Sequence, residues 1–246
     1  MSQVVYKRAD SLTKVPFTFC PGCTHGIIHH VVAACIDELG VKGDTISVSS
    51  VGCGGMNPPF WDTDSIYSMH GRAPANATGI KRMNPDKFVF TYQGDGDLAS
   101  IGTAEIVHAA HRGEKISVIF VNNTTYGMTG GQMAPTTLAG QKTTTSPYGR
   151  DADHCGNPIR MSEMLATIDG AKFIERVSVD TPANIRKAKK AIKRSFECQL
   201  KGLGFSMVEV LSTCPTNWGQ SPSDSLKWLR DNMMPYYPLG NFKDYE

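Results

Sequence analysis

Short, strongly apolar segments alternate along the chain with longer amphipathic ones, and this alternation is the strongest constraint on its fold. The short segments, rich in β-branched and aromatic residues, predict strands at residues 45–51, 87–92, 116–121, 171–179 and 204–211. The longer segments carry apolar residues at helical spacing and predict helices at 26–39, 98–111, 159–168 and 182–200. Apolar strands separated by helices predict an α/β fold, a mostly parallel sheet with helices on both faces. In such a sheet, ligands bind at the carboxyl ends of the strands.

Composition limits the classes of protein to consider. The 246 residues are 40% hydrophobic and 20% charged, an ordinary balance for one domain with a sizeable core. Residues 1–14 lack the apolar core of a signal peptide, and no stretch reaches the roughly 18–20 apolar residues that cross a membrane. Seven cysteines therefore predict free or metal-bound thiols in a reducing cytoplasm. The net charge of +2 argues neither for nor against nucleic-acid binding. We expect neither nucleic-acid nor membrane partners.

The motif GDGD, residues 94–97, follows the second predicted strand and precedes a helix. Glycines let the backbone approach a phosphate closely, and the following helix offers unpaired N–H groups to it. A plain β-turn or a helix cap would use the same residues. From Gly96, 25 intervening residues lead to NN, residues 122–123, at the end of the next strand. One strand–helix–strand unit thus brings Asp95 and an asparagine amide to the same edge of the sheet. Their oxygens, together with diphosphate oxygens and water, would complete an octahedral Mg²⁺ site.

Four of the cysteines can converge at the same edge. The motif CPGC, residues 20–23, opens the domain, Cys53 follows the first strand and Cys214 follows the last. A Cys-x-x-Cys pair alone has three interpretations: a zinc knuckle, a redox dithiol and part of an iron–sulfur cluster. Zinc would favour a second tight pair, which the sequence lacks, and a dithiol would need neither Cys53 nor Cys214. Four converging thiolates suit a [4Fe–4S] cluster, which takes up electrons singly.

The order of the motifs resembles one family. GDG followed by NN at this distance resembles the motif of thiamine-diphosphate enzymes. Further motifs occur in order: CPGC (20–23), GC (52–53), HGR (70–72), ATGIK (77–81), YGMTGGQ (126–132) and CPT (214–216). Over residues 19–217 the set resembles the β subunit of 2-oxoacid:ferredoxin oxidoreductases.

This resemblance implies three groups of site residues. The implied Mg²⁺ ligands are Asp95, Asn123 and the backbone carbonyl of Thr125. The implied ligands of one [4Fe–4S] cluster are Cys20, Cys23, Cys53 and Cys214. The residues implied to contact thiamine diphosphate are Val51, Gly52, Cys53, Gly54, His70, Gly94, Gly96, Asp97, Tyr126, Gly127, Met128 and Thr129. A structural role for His70 and core packing for Met128 are the alternatives.

Three other features carry weaker predictions. Cys35 and Cys198 lie within predicted helices and are expected to be core or surface thiols. Cys155 stands beside His154 as a second candidate metal pair. The polar stretch 124–153 is too long for a simple connector and is expected to be functional.

The resemblance also implies a reaction and partners. The reaction is oxidative decarboxylation of a 2-oxoacid with coenzyme A to acyl-CoA and CO₂, with electrons passing through the cluster to ferredoxin. A glutamate from a pyrimidine-binding domain activates the cofactor in this superfamily, and residues 1–217 have room for the diphosphate-binding domain alone. We therefore expect an α subunit that supplies the glutamate, and γ or δ subunits as further partners. Residues 218–246 are expected to form an arm that packs on another subunit, or on its own domain.

The sequence favours one substrate class within the family. The short length and the segments CPTNWG (214–219) and YYPLG (236–240) resemble chains that act on branched-chain 2-oxoacids such as 2-ketoisovalerate. Met56 stands where many relatives have a polar or basic residue, which favours an apolar substrate side chain. 2-Oxoglutarate is the alternative substrate. A non-oxidative thiamine-dependent decarboxylase or lyase, without a cluster, and a structural zinc protein are the alternative functions.

Overall fold

The computed structural model describes residues 7–246, so the first six residues of the N-terminal segment 1–14, where no signal peptide was expected, lie outside the described residues. The strands are β1 (Thr45–Ser49), β2 (Asp64–Tyr67), β3 (Phe88–Gly94), β4 (Ser117–Asn122), β5 (Thr125–Tyr126), β6 (Gln132–Met133), β7 (Ala171–Ser178), β8 (Phe205–Leu211) and β9 (Gly240–Lys243). The α-helices are α1 (His25–Leu39), α2 (Ala73–Met83), α3 (Thr103–His111), α4 (Ala152–Cys155), α5 (Met161–Ala166), α6 (Pro182–Leu200), α7 (Pro215–Trp218), α8 (Pro222–Trp228) and α9 (Met234–Tyr236).

Seven strands form one sheet in the order β2-β1-β3-β4-β8-β7-β9, and β5 and β6 form a separate pair. Neighbouring strands of the sheet run parallel except β9, which is antiparallel to β7 at one edge. The predicted mostly parallel α/β fold is therefore confirmed. The five predicted strands are all present, and their ends differ by one or two residues from the predicted bounds.

Helices cover both faces of the sheet, as predicted. On one face, Ile28 of α1 and Ile192 of α6 belong to the same buried cluster as Phe90. On the other face, Ile106 of α3 belongs to a second cluster together with Val89, the neighbour of Phe90 on β3, and with residues of α2 and α5. Successive residues of a strand point to opposite faces, so an almost wholly apolar strand serves both layers.

Two predicted helices show how local signals set helix ends. Helix α6 has both predicted ends, with Thr181 accepting a hydrogen bond from the backbone N–H of Asn184 as an N-cap. The predicted helix 98–111 is divided instead: Asp97–Ile101 forms a π-helical turn and α3 begins at Thr103. Gly102 lies between them, and a β-carbon there would stand 2.8 Å from the backbone oxygen of Gly71. A side chain therefore has no room at the break.

Several elements were not predicted, among them α2, β2 and β9. Helix α2 buries only Ala73, Pro74, Ala77 and Thr78, too little apolar surface for a clear helical pattern. Strands β2 and β9 are mostly exposed edge strands without apolar alternation. Edge strands depend on the neighbour they pair with, so their sequences carry little signal.

The C-terminal segment 218–246 packs on its own domain. Leu229, Met233 and Tyr237 form a buried cluster with Leu211 of β8, and β9 pairs with β7. The segment therefore shows the alternative contact named for it from the sequence, while contact with another subunit stays a prediction. Within residues 7–246, no helix has the length and apolar character needed to cross a bilayer.

Candidate functional site

A cleft opens at the carboxyl edge of the sheet, where β1, β3 and β4 end. It is lined by His25, Val51, Gly52, Cys53, Gly54, His70, Gly94, Asp95, Gly96, Asp97, Asn123, Thr125, Tyr126, Gly127, Met128 and Thr129. The structure thus brings together every residue that the sequence implied for thiamine diphosphate and Mg²⁺. It adds one residue, His25 at the start of α1, which the sequence analysis missed.

Asp95 lies at the floor of the cleft with only 2% of its surface exposed. Its Oδ2 accepts a hydrogen bond of 2.5 Å from the Thr136 hydroxyl, and its Oδ1 accepts one of 2.9 Å from the Gly96 N–H. Burial raises the pKa of Asp95 to about 7. A carboxylate in this setting is stabilised by a nearby cation, so the residue fits the role of an Mg²⁺ ligand.

Asn123 and Thr125 are held by a strained turn. Thr124 between them has a φ of 59°, the one positive φ outside glycine in residues 7–246, which costs roughly 1–3 kcal/mol. Two bonds to Thr124 hold the turn: the Gln141 side-chain amide donates to its hydroxyl at 2.8 Å, and the Thr137 hydroxyl donates to its carbonyl at 2.6 Å. Both donors lie in the long polar stretch, which therefore shapes the predicted metal site.

Asp97 acts on its neighbours rather than on the open cleft. Its carboxylate accepts hydrogen bonds from His70 Nδ1 at 2.5 Å and from the Gly71 N–H at 2.6 Å. The Ser50 hydroxyl at 2.7 Å and the Gln93 amide at 2.5 Å complete the set. These bonds orient His70, whose side chain is 35% exposed. His70 is therefore a cleft residue and not a core histidine.

Two glycines of the cleft, Gly96 and Gly127, stand close to neighbouring side chains. A β-carbon at Gly96 would lie 2.3 Å from Cε1 of Tyr126. One at Gly127 would lie 3.3 Å from Sγ of Cys53, and 3.7 Å from both Nδ2 of Asn123 and Sγ of Cys214. Gly127 thus stands at the wall between the cleft and the predicted cluster ligands.

A second cavity, of about 350 Å³, lies behind this wall. It is lined by Thr18, Phe19, Cys20, Cys23, His25, Cys53, Met56, Asn123, Gly127, Met128, Gly130, Cys214, Pro215, Thr216 and Asn217. All four cysteines implied as cluster ligands are among them. The loop that carries Cys20 and Cys23 is fixed to the end of β8, since the Thr213 hydroxyl donates to the Gly22 carbonyl at 2.8 Å.

Cys20 is exposed, whereas Cys23, Cys53 and Cys214 are partly buried. Burial raises the pKa of Cys23 to about 12 and that of Cys53 to about 11. The backbone N–H of His25 opposes this effect at Cys23, and Asn217 does so at Cys214, where its Nδ2 lies 3.2 Å from Sγ. A reactive dithiol needs a lowered pKa, whereas N–H donors around sulfur suit metal-bound thiolates.

The four thiols line one cavity without being gathered around a single point. In the described part of the chain, no three His, Cys, Asp or Glu side chains are placed to hold one metal ion. Four thiols around a cavity fit a polyatomic iron–sulfur group better than one Zn²⁺, which requires ligands about 2 Å from a common point. Cys155 and His154 have no third ligand by the same criterion. Cys35 and Cys198 are fully buried core residues.

Arg150 fastens the polar stretch beside the cleft. It is 6% exposed, and its guanidinium donates hydrogen bonds to the backbone carbonyls of Ala134, Pro135, Thr137, Cys155, Gly156 and Asn157. These bonds join residues 134–137 of the stretch to residues 155–157, which follow it. They hold the segment that presents Thr136 to Asp95.

Two residues of the site, His25 and Thr136, were missed by the sequence analysis. His25 opens a helix whose apolar spacing concealed it, although it directly follows the CPGC motif. Its Nδ1 lies 2.7 Å from the Tyr92 hydroxyl, and burial lowers its pKa to about 3. Thr136 lies in the polar stretch, where only the length of the segment indicated function.

Comparison with known proteins is consistent with this geometry. The family described as thiamine pyrophosphate enzyme, C-terminal TPP binding domain, matches residues 50–210. The 2-oxoglutarate synthase subunit KorB of Methanocaldococcus jannaschii is 40% identical over 92% of this chain and 81% of its own length. The chain belongs to the 2-oxoacid:ferredoxin oxidoreductase family, as a thiamine-diphosphate-binding subunit.

Two further proteins are similar to this chain. The ketoisovalerate oxidoreductase subunit VorA of Methanothermobacter thermautotrophicus is 47% identical over 98% of this chain and 50% of its own length. A solved structure of 2-oxoglutarate:ferredoxin oxidoreductase from Magnetococcus marinus, with 2-oxoglutarate, coenzyme A and succinyl-CoA bound, matches with a TM-score of 0.84 and 28% identity. That match covers 98% of this chain and 86% of the other. The chain thus spans about half the length of the ketoisovalerate oxidoreductase relatives, and the predicted thiamine-diphosphate-binding fold is confirmed.

Proposed function

We propose that the chain is the β subunit of a 2-oxoacid:ferredoxin oxidoreductase and carries thiamine diphosphate, Mg²⁺ and one [4Fe–4S] cluster. The enzyme would convert a 2-oxoacid and coenzyme A to acyl-CoA and CO₂ and pass the electrons to ferredoxin. One observation carries this proposal: the cofactor cleft and the thiol cavity share a wall made of His25, Cys53, Asn123, Gly127 and Met128. Oxidation at a bound cofactor requires an electron acceptor close to it, and the shared wall supplies that closeness.

In this proposal the side chains of Asp95 and Asn123 and the carbonyl of Thr125 hold Mg²⁺ against the diphosphate. Asp97 orients His70 towards the same end of the cofactor through the bond to Nδ1. Met128, half exposed in the cleft, would provide an apolar contact for the bound cofactor. Thiamine diphosphate would supply the electron sink for decarboxylation, and the protein supplies placement and charge.

Cys20, Cys23, Cys53 and Cys214 are proposed as the cluster ligands. The N–H donors at Cys23 and Cys214 support thiolate ligands there. The glutamate that activates the cofactor is proposed to come from a pyrimidine-binding domain outside these 246 residues, on an α subunit, with γ or δ subunits and ferredoxin as further partners. The seven cysteines are free thiols, which supports a reducing, cytoplasmic location.

Branched-chain 2-oxoacids are the proposed substrates. The relatives named for ketoisovalerate are more similar to this chain, at 47% and 48% identity, than the 2-oxoglutarate synthase subunit at 40%. Met56 lines the thiol cavity beside the shared wall and offers no charge to a second substrate carboxylate. Both observations favour 2-ketoisovalerate over 2-oxoglutarate.

Anaerobic analysis of iron and acid-labile sulfide tests the cofactor assignment. We expect about four iron and four sulfide per chain, together with Mg²⁺-dependent binding of thiamine diphosphate. Cofactor binding without iron would support a non-oxidative decarboxylase or lyase. One zinc per chain without cofactor binding would support the structural zinc alternative.

Turnover in the reconstituted complex tests the substrate. The value of kcat/KM for 3-methyl-2-oxobutanoate is expected to exceed that for 2-oxoglutarate. The variant Met56→Lys should narrow the difference, because a cation would attract the second carboxylate. The variant Met56→Leu is the matched control. A wild-type preference for 2-oxoglutarate would reverse the assignment.

A further inference from the structure

His25 occupies a position that the proposed roles leave unexplained. It is 2% exposed and is one of the residues that line both the cofactor cleft and the thiol cavity. Its ring stacks on Phe19, another residue of the thiol cavity, with centroids 5.0 Å apart and planes at 20°. The imidazole is therefore held in one orientation in the wall between the two sites.

The bond to Tyr92 determines which nitrogen of the ring carries a proton. The Tyr92 hydroxyl is buried, and His25 Nδ1 at 2.7 Å is its one partner among residues 7–246. A buried O–H without an acceptor is costly, so the hydroxyl donates to Nδ1. A neutral imidazole that accepts at Nδ1 carries its proton at Nε2.

The Nε2–H group opens towards the cavities. Nε2 makes no hydrogen bond within the described chain, and it is not fully enclosed by protein atoms. The two cavities that His25 lines supply accessible space beside the ring. A donor is thus directed at whatever fills one of them.

Two observations favour the thiol cavity. The backbone N–H of His25 is close enough to the Cys23 thiol to oppose the effect of burial on its pKa. The ring is also stacked against Phe19, which lines the thiol cavity and not the cleft.

We propose that His25, oriented by Tyr92, donates a hydrogen bond from Nε2–H to a sulfur atom of the group held by the four cysteines and thereby raises its reduction potential. This inference rests on the iron–sulfur assignment proposed above. Reduction adds negative charge to the cluster, and a donor to sulfur stabilises that charge. Placed in the shared wall, the donor would favour electron transfer out of the cofactor cleft.

A redox titration of the anaerobic complex, followed by electron paramagnetic resonance, tests the inference. The signal of this cluster is identified as the one lost in Cys53→Ala. In His25→Leu, the ratio of reduced to oxidised cluster at a fixed potential should fall about tenfold, which is about 59 mV for one electron. His25→Gln keeps an N–H donor and should recover most of the wild-type ratio. Tyr92→Phe should shift the ratio in the same direction by less, since the ring loses its fixed tautomer.

The control is His30→Leu on the same helix, because His30 lines neither cavity. Equal shifts in His25→Leu and His25→Gln would show that packing and not the donor matters, and would overturn the inference. The inference would also be overturned if His25→Leu kept the wild-type ratio of reduced to oxidised cluster at full iron content. The same ratio accompanied by weaker binding of thiamine diphosphate would overturn it as well. If His25→Leu does not retain its cluster, His25→Gln and Tyr92→Phe decide. A wild-type complex in which this chain holds no iron would instead refute the iron–sulfur assignment itself.

Discussion

At the scale of single residues, Asp95 is the proposed Mg²⁺ ligand that supplies a negative charge. In Asp95→Asn, the Thr136 hydroxyl can still donate to the side-chain oxygen, so the fold should persist while the charge that attracts Mg²⁺ is lost. We expect Mg²⁺-dependent binding of thiamine diphosphate to weaken by at least about tenfold, measured by calorimetric titration. The exposed Asp169→Asn is the control. Unchanged affinity would remove Asp95 from the proposed ligand set.

Another single residue, His29, affects the pH dependence of the free energy of unfolding. Burial lowers the pKa of His29 from 6.5 to about 4, between Trp61, on which it stacks, and Asn57. The unfolded chain therefore binds more protons than the folded one between these two pKa values, and stability falls as the pH drops through that window.

This difference predicts a measurable pH dependence in the apoprotein. From pH 7 to pH 5 the contribution of His29 to the free energy of unfolding should fall by about 2 kcal/mol. In His29→Gln this part of the acid dependence should disappear, as measured by urea unfolding at both pH values. The exposed His111→Gln should retain it. An equally steep dependence in His29→Gln would contradict the assignment.

At the scale of elements, one buried cation joins the polar stretch 124–153 to the residues that follow it. Arg150 donates to six backbone carbonyls, and Arg150→Met would leave most of these acceptors without a partner. We expect a loss of about 2–4 kcal/mol in unfolding free energy and faster proteolysis within the stretch. Cofactor affinity should fall as well, because the segment presents Thr136 to Asp95.

The matched control is Lys142→Met, an exposed cation in the same stretch. It should leave both the proteolysis rate and the affinity unchanged. Cleavage of Arg150→Met at the wild-type rate would mean that the loop is held by other contacts.

Sequence and structure agree at this scale where an element buries its own apolar pattern. Strand β3 and helix α6 were predicted because their residues face a core on both sides or along one stripe. Helix α2 and strand β9 were not, because their stability comes from the surfaces they pack against. The same holds for the candidate site. The glycine, asparagine and cysteine motifs are local in sequence and could be predicted. His25 and Thr136 could not, because they were recognised only through their contacts with Tyr92 and Asp95 in the fold.

At the scale of the whole molecule, a buried ion network joins the sheet, α5 and the C-terminal segment. Arg176 of β7 is fully buried and bonds to Glu209 of β8 at 2.8 Å and to Glu163 of α5 at 2.5 Å. It also donates to the carbonyl of Pro238 at 3.1 Å. Arg176→Met would leave Glu209 as a buried charge without its cation, and we expect a loss of about 3–5 kcal/mol in unfolding free energy.

The double variant Arg176→Met/Glu209→Gln should recover part of this loss, since the uncompensated charge is removed. Urea unfolding of both variants at pH 7 is the measurement. If the double variant is less stable than the single one, the bonds of Glu209 to Asn122 and Ser162 matter more than its charge.

Gly127 makes the two proposed sites mechanically dependent on each other. One added carbon there would lie 3.3 Å from Sγ of Cys53, a tight contact, and in ordinary contact with Asn123 and Cys214. A bulky side chain at this position would therefore crowd residues of both proposed sites, and their occupancies are expected to change together.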